Sequence, residues 1–210
     1  IASEAYFSLE NHLLCIEHRL ERLMDIPIPT SLEQCAFDFI HQTLHPLWEH
    51  IKTEIRTHPF NVKEETPWEE RCLSPSDFGF HNALLSNNGQ FYFLDFEYAG
   101  WDEPTKMICD FFCQVEIPVP LEFLAHFTLQ TLTPFSNPSQ QLHRLNLLFP
   151  IYQVKWCCIL LNDFLPMDAQ RRQFALKNNT QKELQLKKAK ALAYKLKEKT
   201  QEVREIILGL

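Results

Sequence analysis

The sequence predicts a mainly α domain carrying a small β-hairpin, and three observations predict it. Apolar residues recur at three- and four-residue steps over long stretches at both ends of the chain, the spacing that lines one face of a helix. A single central segment, residues 83–94, reads as two short strands joined by an Asn-Gly turn. Glycine occurs only 4 times in 210 residues and phenylalanine 17 times, a composition suited to bulky helical packing.

In order, Leu9, Leu13, Ile16, Leu20 and Leu23 place a helix over residues 4–24, ended by Pro27 and Pro29. Thr30 with Glu33 reads as a capping box that opens a second helix. The inner face of that helix is Ile40, Leu44, Leu47, Ile51 and Ile55, and Pro46 should kink or split it. Residues 58–72 are polar, carry two prolines and read as a loop. After the hairpin come helices over residues 105–114 and 119–132, with Pro120 in a first turn. A long helical pattern over 138–165, interrupted by Pro150, and a Lys-rich helix over 181–207 with Leu192, Leu196, Val203 and Ile207 inward complete the chain.

Composition excludes several classes. With 45% hydrophobic and 22% charged residues the chain can bury a full core and is not disordered throughout. Four glycines leave no Gly-rich phosphate cradle. No uninterrupted apolar run reaches the roughly 18 residues of a membrane span. The opening, already acidic and without Met, shows no secretory leader and reads as the interior of a longer gene product. Seven cysteines without a CxxC pair read as reduced, buried thiols of a cytoplasmic protein. Residues 1–180 hold 12 Lys and Arg against 23 Asp and Glu, whereas 181–200 hold 7 Lys and 2 Glu. The acidic body argues against a nucleic-acid partner and favours a cationic substrate, and the Lys-rich helix reads as a solvated face.

Chemistry concentrates in residues 73–112. Asp77 and Asn82 lie on the loop entering the hairpin, and Asp95, followed by Phe96 and Glu97, closes its second strand. Antiparallel pairing brings Asn82 and Asp95 to the same open end, with Asp77 a loop-width away. A carboxylate and an amide oxygen with a further carboxylate beside them form a hard-oxygen site suited to Mg²⁺. Glu97 reads equally as a solvated carboxylate or as one more oxygen for the metal. Asp102 and Glu103 read as turn residues, with the lining of a pocket for a cation as the alternative. Tyr98 and Trp101 read as packing residues, with a box for a quaternary ammonium as theirs.

D-x4-N, a hairpin and Asp95-Phe96-Glu97, with Asp110 fifteen residues past Asp95, resemble the catalytic half of the protein kinase-like fold. They resemble more closely the aminoglycoside phosphotransferase and choline kinase superfamily. The resemblance covers about 40 residues by motif; the flanking helices agree in type and order. It implies a helical C-terminal lobe over 1–210, with catalytic loop and metal hairpin at 73–97 and C-terminal helices at 105–207. It also implies an N-terminal lobe, absent from the chain, that carries the phosphate-covering loop and nucleotide Lys, so that the isolated lobe is inactive. The implied activity is ATP- and Mg²⁺-dependent phosphorylation of a hydroxyl on an aminoglycoside-, choline/ethanolamine- or sugar-like molecule. Asp77 would orient or deprotonate that hydroxyl, Asn82 and Asp95 would hold Mg²⁺ against the nucleotide, and Glu97 would add a carboxylate. Asp110 would anchor the catalytic loop by accepting backbone N–H bonds from the following helix. The superfamily's His two residues before the catalytic Asp is replaced by Pro75. That departure supports the alternative, a non-catalytic pseudokinase or interaction module; the retained Asp77, Asn82 and Asp95 argue against it.

Overall fold

The computed structural model describes residues 1–2, 4–165 and 179–210. Helix α1 (Leu9–Met24) begins later than its periodicity suggests, because the Ser8 hydroxyl accepts the Asn11 N–H and caps it there. Its predicted face, Leu9, Leu13, Ile16, Leu20 and Leu23, is buried. Helix α2 (Ser31–Phe39) is capped by Thr30, which accepts the Leu32 N–H and donates to Glu33.

The predicted second helix is divided ahead of Pro46 as expected, by a π turn rather than a break. A π turn at Ile40–Leu44, closed by the His45 N–H on the Ile40 carbonyl, leads into α3 (His45–Thr57) with Pro46 in its first turn. Proline has no N–H for the carbonyl four residues back, and the wider turn accommodates the loss. Ile40, Leu44, Ile51 and Ile55 are inside as expected, and only at the turn between them does Trp48 take the buried place while Leu47 is half-buried.

The loop over residues 58–72 ends by entering a strand that the sequence conceals. β1 (Cys72–Ser74) pairs antiparallel with β4 (Gly100–Asp102), Cys72 opposite Asp102 and Ser74 opposite Gly100. The predicted hairpin forms between them as β2 (Ala83–Leu85) and β3 (Phe91–Phe93), Ala83 opposite Phe93. Its turn closes through the Gly89 N–H on the Ser86 carbonyl, and Gly89 takes φ 82°, which a side chain would resist. Phe78 and Phe80 before the hairpin meet both Phe93 within it and Phe111, with ring centroids from 4.8 to 6.3 Å apart.

Helix α4 (Pro104–Cys113) is buried along nearly its whole length and packs on α6. Pro120 precedes a 3₁₀ turn, Leu121–Phe123, rather than entering the first turn of α5 (Leu124–Leu132). Helix α6 (Pro138–Leu161) runs unbroken through Pro150, where the sequence suggests an interruption. Phe149 and Ile151 on either side are wholly buried, and their packing outweighs the lost helix bond. Extended by its 3₁₀ turn to Phe164, α6 is long and apolar enough to cross a membrane by length and composition alone. The qualifying window is 83% buried inside the protein, which makes it a core helix. Its principal partner is α7 (Asn179–Leu208). The α7 seam is Leu186, Ala189, Ala193, Leu196, Thr200, Val203 and Ile207; Leu192 is only half-buried, and the alanines let the helices close.

Candidate active site

The loop after β1 is held at both ends. The Ser74 hydroxyl accepts the Ser76 N–H at 3.1 Å, and the Lys106 ammonium donates to the Ser76 carbonyl at 3.5 Å. Ser76 takes φ 74°, a left-handed conformation that costs a β-carbon residue free energy and marks a constrained site. Asp77 follows, with its side chain 52% exposed. His81 Nε2 lies 3.1 Å from its Oδ1, and the Asn82 side-chain amide donates to its carbonyl at 3.0 Å. The hydrogen bond to His81 holds the Asp77 carboxyl below the usual range, outweighing partial burial. His81 therefore braces the loop by gripping Asp77 from four residues downstream. Gly79 makes room for that ring: a Cβ there would lie 2.6 Å from His81 Nδ1.

The hairpin brings Asn82 and Asp95 together as its antiparallel register requires, the Leu94 N–H donating to the Asn82 carbonyl at 2.8 Å. Asp95 takes φ 62° and ψ 52°, a left-handed turn into a 3₁₀ segment, Phe96–Tyr98, that carries Glu97. Asp95 and Glu97 are both exposed. Among the described residues no cluster of three or more His, Cys, Asp or Glu stands ready for a metal. The donor set is instead the Asn82 amide oxygen, left over when its nitrogen bonds the Asp77 carbonyl, and the exposed carboxylates of Asp95 and Glu97. Such oxygens fit Mg²⁺, which takes few protein ligands and completes its shell with water and phosphate.

A cleft of about 210 Å³ opens beside Asp77, lined among others by Glu4, Asp110, Lys155 and Trp156. Beneath it runs a chain of charges. Lys106, wholly buried, pairs with Asp102 at 2.6 Å and Asp110 at 2.9 Å. Lys155 lies 3.7 Å from Asp110 and 3.2 Å from Glu4, which also pairs with Arg19. Burial pushes the Asp102 carboxyl up to about 6 even beside Lys106. Burial alone would lower the Lys106 ammonium, but Asp110 and Asp102 hold it above its ordinary value. Asp110 supports the Asp77 loop differently from the expectation: its side-chain partners among the described residues are ammonium groups, and Lys106 carries the link to Ser76. The spacing could have disclosed this, because Asp102, Lys106 and Asp110 stand at i, i+4 steps, the pattern of helical ion pairs.

Asp102 and Glu103 are neither turn residues nor a lining for a cation, since both are wholly buried. Glu103 receives two bonds from Arg144, one from Thr66 at 2.6 Å and one from His12 at 3.3 Å. Tyr152 donates to His12 Nδ1 at 3.2 Å, which leaves Nε2–H to donate to Glu103. Burial would raise the Glu103 carboxyl, but the His12 bond and Arg144 charge outweigh it and bring it to about 2. Trp101 packs on Trp68, with centroids 4.7 Å apart, while Tyr98 lines the cleft half-exposed.

Compared with known proteins, the chain matches no family model, no curated protein and no solved structure.

Proposed function

We propose that the chain is the catalytic-loop lobe of an ATP- and Mg²⁺-dependent phosphotransferase acting on a hydroxyl of a small molecule. The observation that carries the reading is Asp77. Of the carboxylates on the cleft wall, Glu4 and Asp110 are each held by two cations, whereas Asp77 is half-exposed and pairs with His81. Its carboxyl, kept ionised by that bond, is placed to accept a hydrogen bond from an acceptor hydroxyl and to take its proton. Asn82 and Asp95, with Glu97 beside them, would hold Mg²⁺, whose charge would offset that of the nucleotide phosphates. Phosphoryl transfer depends chiefly on such positioning and neutralisation.

The remaining nucleotide contacts belong, in this reading, to a β-rich lobe with a phosphate-covering loop and a Lys. The hairpin offers it a surface: Leu84, Leu85, Phe91, Tyr92, Leu94 and Phe96 are all exposed by 45% or more. Pro75 favours a second reading, a non-catalytic member of the same fold. One experiment separates the two. In the full-length protein, ATP consumption against a panel of amino alcohols, aminoglycosides, sugars and hydroxy acids is compared with that of Asp77→Asn. Asn keeps volume and one acceptor oxygen but cannot take a proton, so kcat should fall by roughly 10²–10⁴-fold with nucleotide affinity preserved. A parent no faster than Asp77→Asn on every acceptor refutes the phosphotransferase reading.

A further inference from the structure

We infer that the cleft beside Asp77 takes a small molecule whose hydroxyl adjoins an anionic group, carboxylate or phosphate, and that Lys155 and Trp156 recognise that group. The role of the hydroxyl rests on the phosphotransferase reading; the recognition of the anion does not. Lys155 and Trp156 are neighbours on α6, 7% exposed each over the whole residue, and both line the cleft. The Trp156 indole N–H is buried without an acceptor, a deficit that native proteins rarely leave unfilled. Lys155 is an ammonium with three donors, and its closest carboxylate is Glu4 at 3.2 Å. The wall therefore holds an N–H without an acceptor and an ammonium, among three carboxylates of which Glu4 and Asp110 are already paired.

A cationic ligand fits this wall poorly. Glu4 is already satisfied by Arg19 and Lys155, and Asp110 by Lys106 and Lys155, so neither carboxylate is left over for an ammonium. The incoming cation would face Lys155, and the indole N–H would stay unmet. Nor is there an aromatic cage, since Trp101 is turned onto Trp68 and Tyr98 is half-exposed. An anionic group reverses each point. It brings acceptors to the Trp156 N–H and a counter-charge to Lys155. Glu4 stands in for it meanwhile, on a residue whose φ of 53° is unfavourable for a side chain, and keeps Arg19 when it gives way. Asp77, with one oxygen on His81, offers the other to the hydroxyl. At about 210 Å³ the cleft lies below the roughly 300 Å³ where drug-sized ligands begin, and suits a short hydroxy acid or phosphate monoester.

The test is titration of the 210-residue chain, without nucleotide, by glycerate, glycerol 3-phosphate, glycerol and choline, followed by tryptophan fluorescence and calorimetry. At least one anion should bind, about tenfold or more tighter than glycerol or choline, and the tighter anion identifies carboxylate or phosphate. Lys155→Gln should cost about tenfold or more, and Lys155→Arg no more than about threefold. Trp156→Phe should weaken binding and abolish the fluorescence change, and it decides the matter if Lys155→Gln does not fold. Binding of choline above both anions, binding of none of the four, or unchanged anion affinity in Lys155→Gln or Trp156→Phe overturns the inference. Lys155-dependent anion binding without ATP consumption by the full-length protein removes the phosphotransferase reading alone. Turnover of choline unaffected by Lys155→Gln removes this inference alone.

Discussion

Glu103→Gln tests what holds the centre of the lobe. Glu103 is wholly buried, and its carboxyl is brought from 4.5 to about 2, a depression of about 2.5 units, each worth about 1.4 kcal/mol. At neutral pH the ionised side chain thus contributes about 3.5 kcal/mol, and losing it leaves Arg144 buried and uncompensated. Removing one partner of a buried pair costs about 3–5 kcal/mol, a large part of the 5–15 kcal/mol typical of a domain. The assay is urea unfolding followed by circular dichroism from pH 7 to pH 2.5. A folded-state pKa below the unfolded one means that the unfolded chain binds more protons between them. Glu103 therefore stabilises fully above 4.5, and the contribution drains away as pH falls towards 2. Burial lowers His12 from 6.5, so it too loses stability on acidification, starting below that value. Asp102 acts oppositely, because its raised pKa favours the folded state below 3.8 and loses that advantage as pH climbs through about 6. The parent's steep loss should therefore fall below about pH 4, and Glu103→Gln should flatten it while lowering the urea midpoint at pH 7. A midpoint at pH 7 within about 1 kcal/mol of the parent, with an unchanged acid limb, would refute the clamp.

Three further outcomes are expected. Asp95→Gly should relieve the left-handed strain and raise stability by about 0.5–1 kcal/mol, while abolishing Mg-ATP binding by the full-length protein; calorimetry and thermal melts read both. Gly79→Ala should drive the His81 ring off Asp77 and raise the Asp77 pKa, visible as an alkaline shift of the acid limb of the rate profile in the full-length protein. The isolated 210-residue chain should bind Mg-ATP only weakly, because it supplies one side of the nucleotide; micromolar affinity by calorimetry would contradict the two-lobe reading.

Helix faces were legible wherever periodicity was uninterrupted. α1 follows its leucines, and α3 keeps Ile51 and Ile55 inward, but Trp48 stands where Leu47 was expected because no periodicity rule anticipates a π turn ahead of Pro46. The α7 seam was legible at Leu196, Val203 and Ile207 but not at Ala189 and Ala193, which carry little hydrophobic weight, yet whose small size admits close packing. The hairpin was readable from its turn, whereas β1 and β4 were not, being three residues each, 26 positions apart and without alternation. Asn82 and Asp95 meet because antiparallel register demands it. Lys155 and Trp156 reach the cleft only through the packing of α6 on α4, and nothing in their local sequence points to Asp77.

The two halves of the site are fastened by different kinds of force. The Asp77 loop is tied to α4 through the Lys106 ammonium, and such bonds are directional and stiff. The hairpin rests on Phe111 through the rings of Phe78, Phe80 and Phe93, contacts that tolerate sliding at little cost. The assembly is therefore mechanically asymmetric, a rigid anvil under Asp77 and a compliant shelf under Asp95. Thermal excursions should widen the gap between Asp77 and Asp95 by moving the shelf, so that backbone amides in Phe91–Phe93 exchange with solvent well before those of Pro104–Cys113.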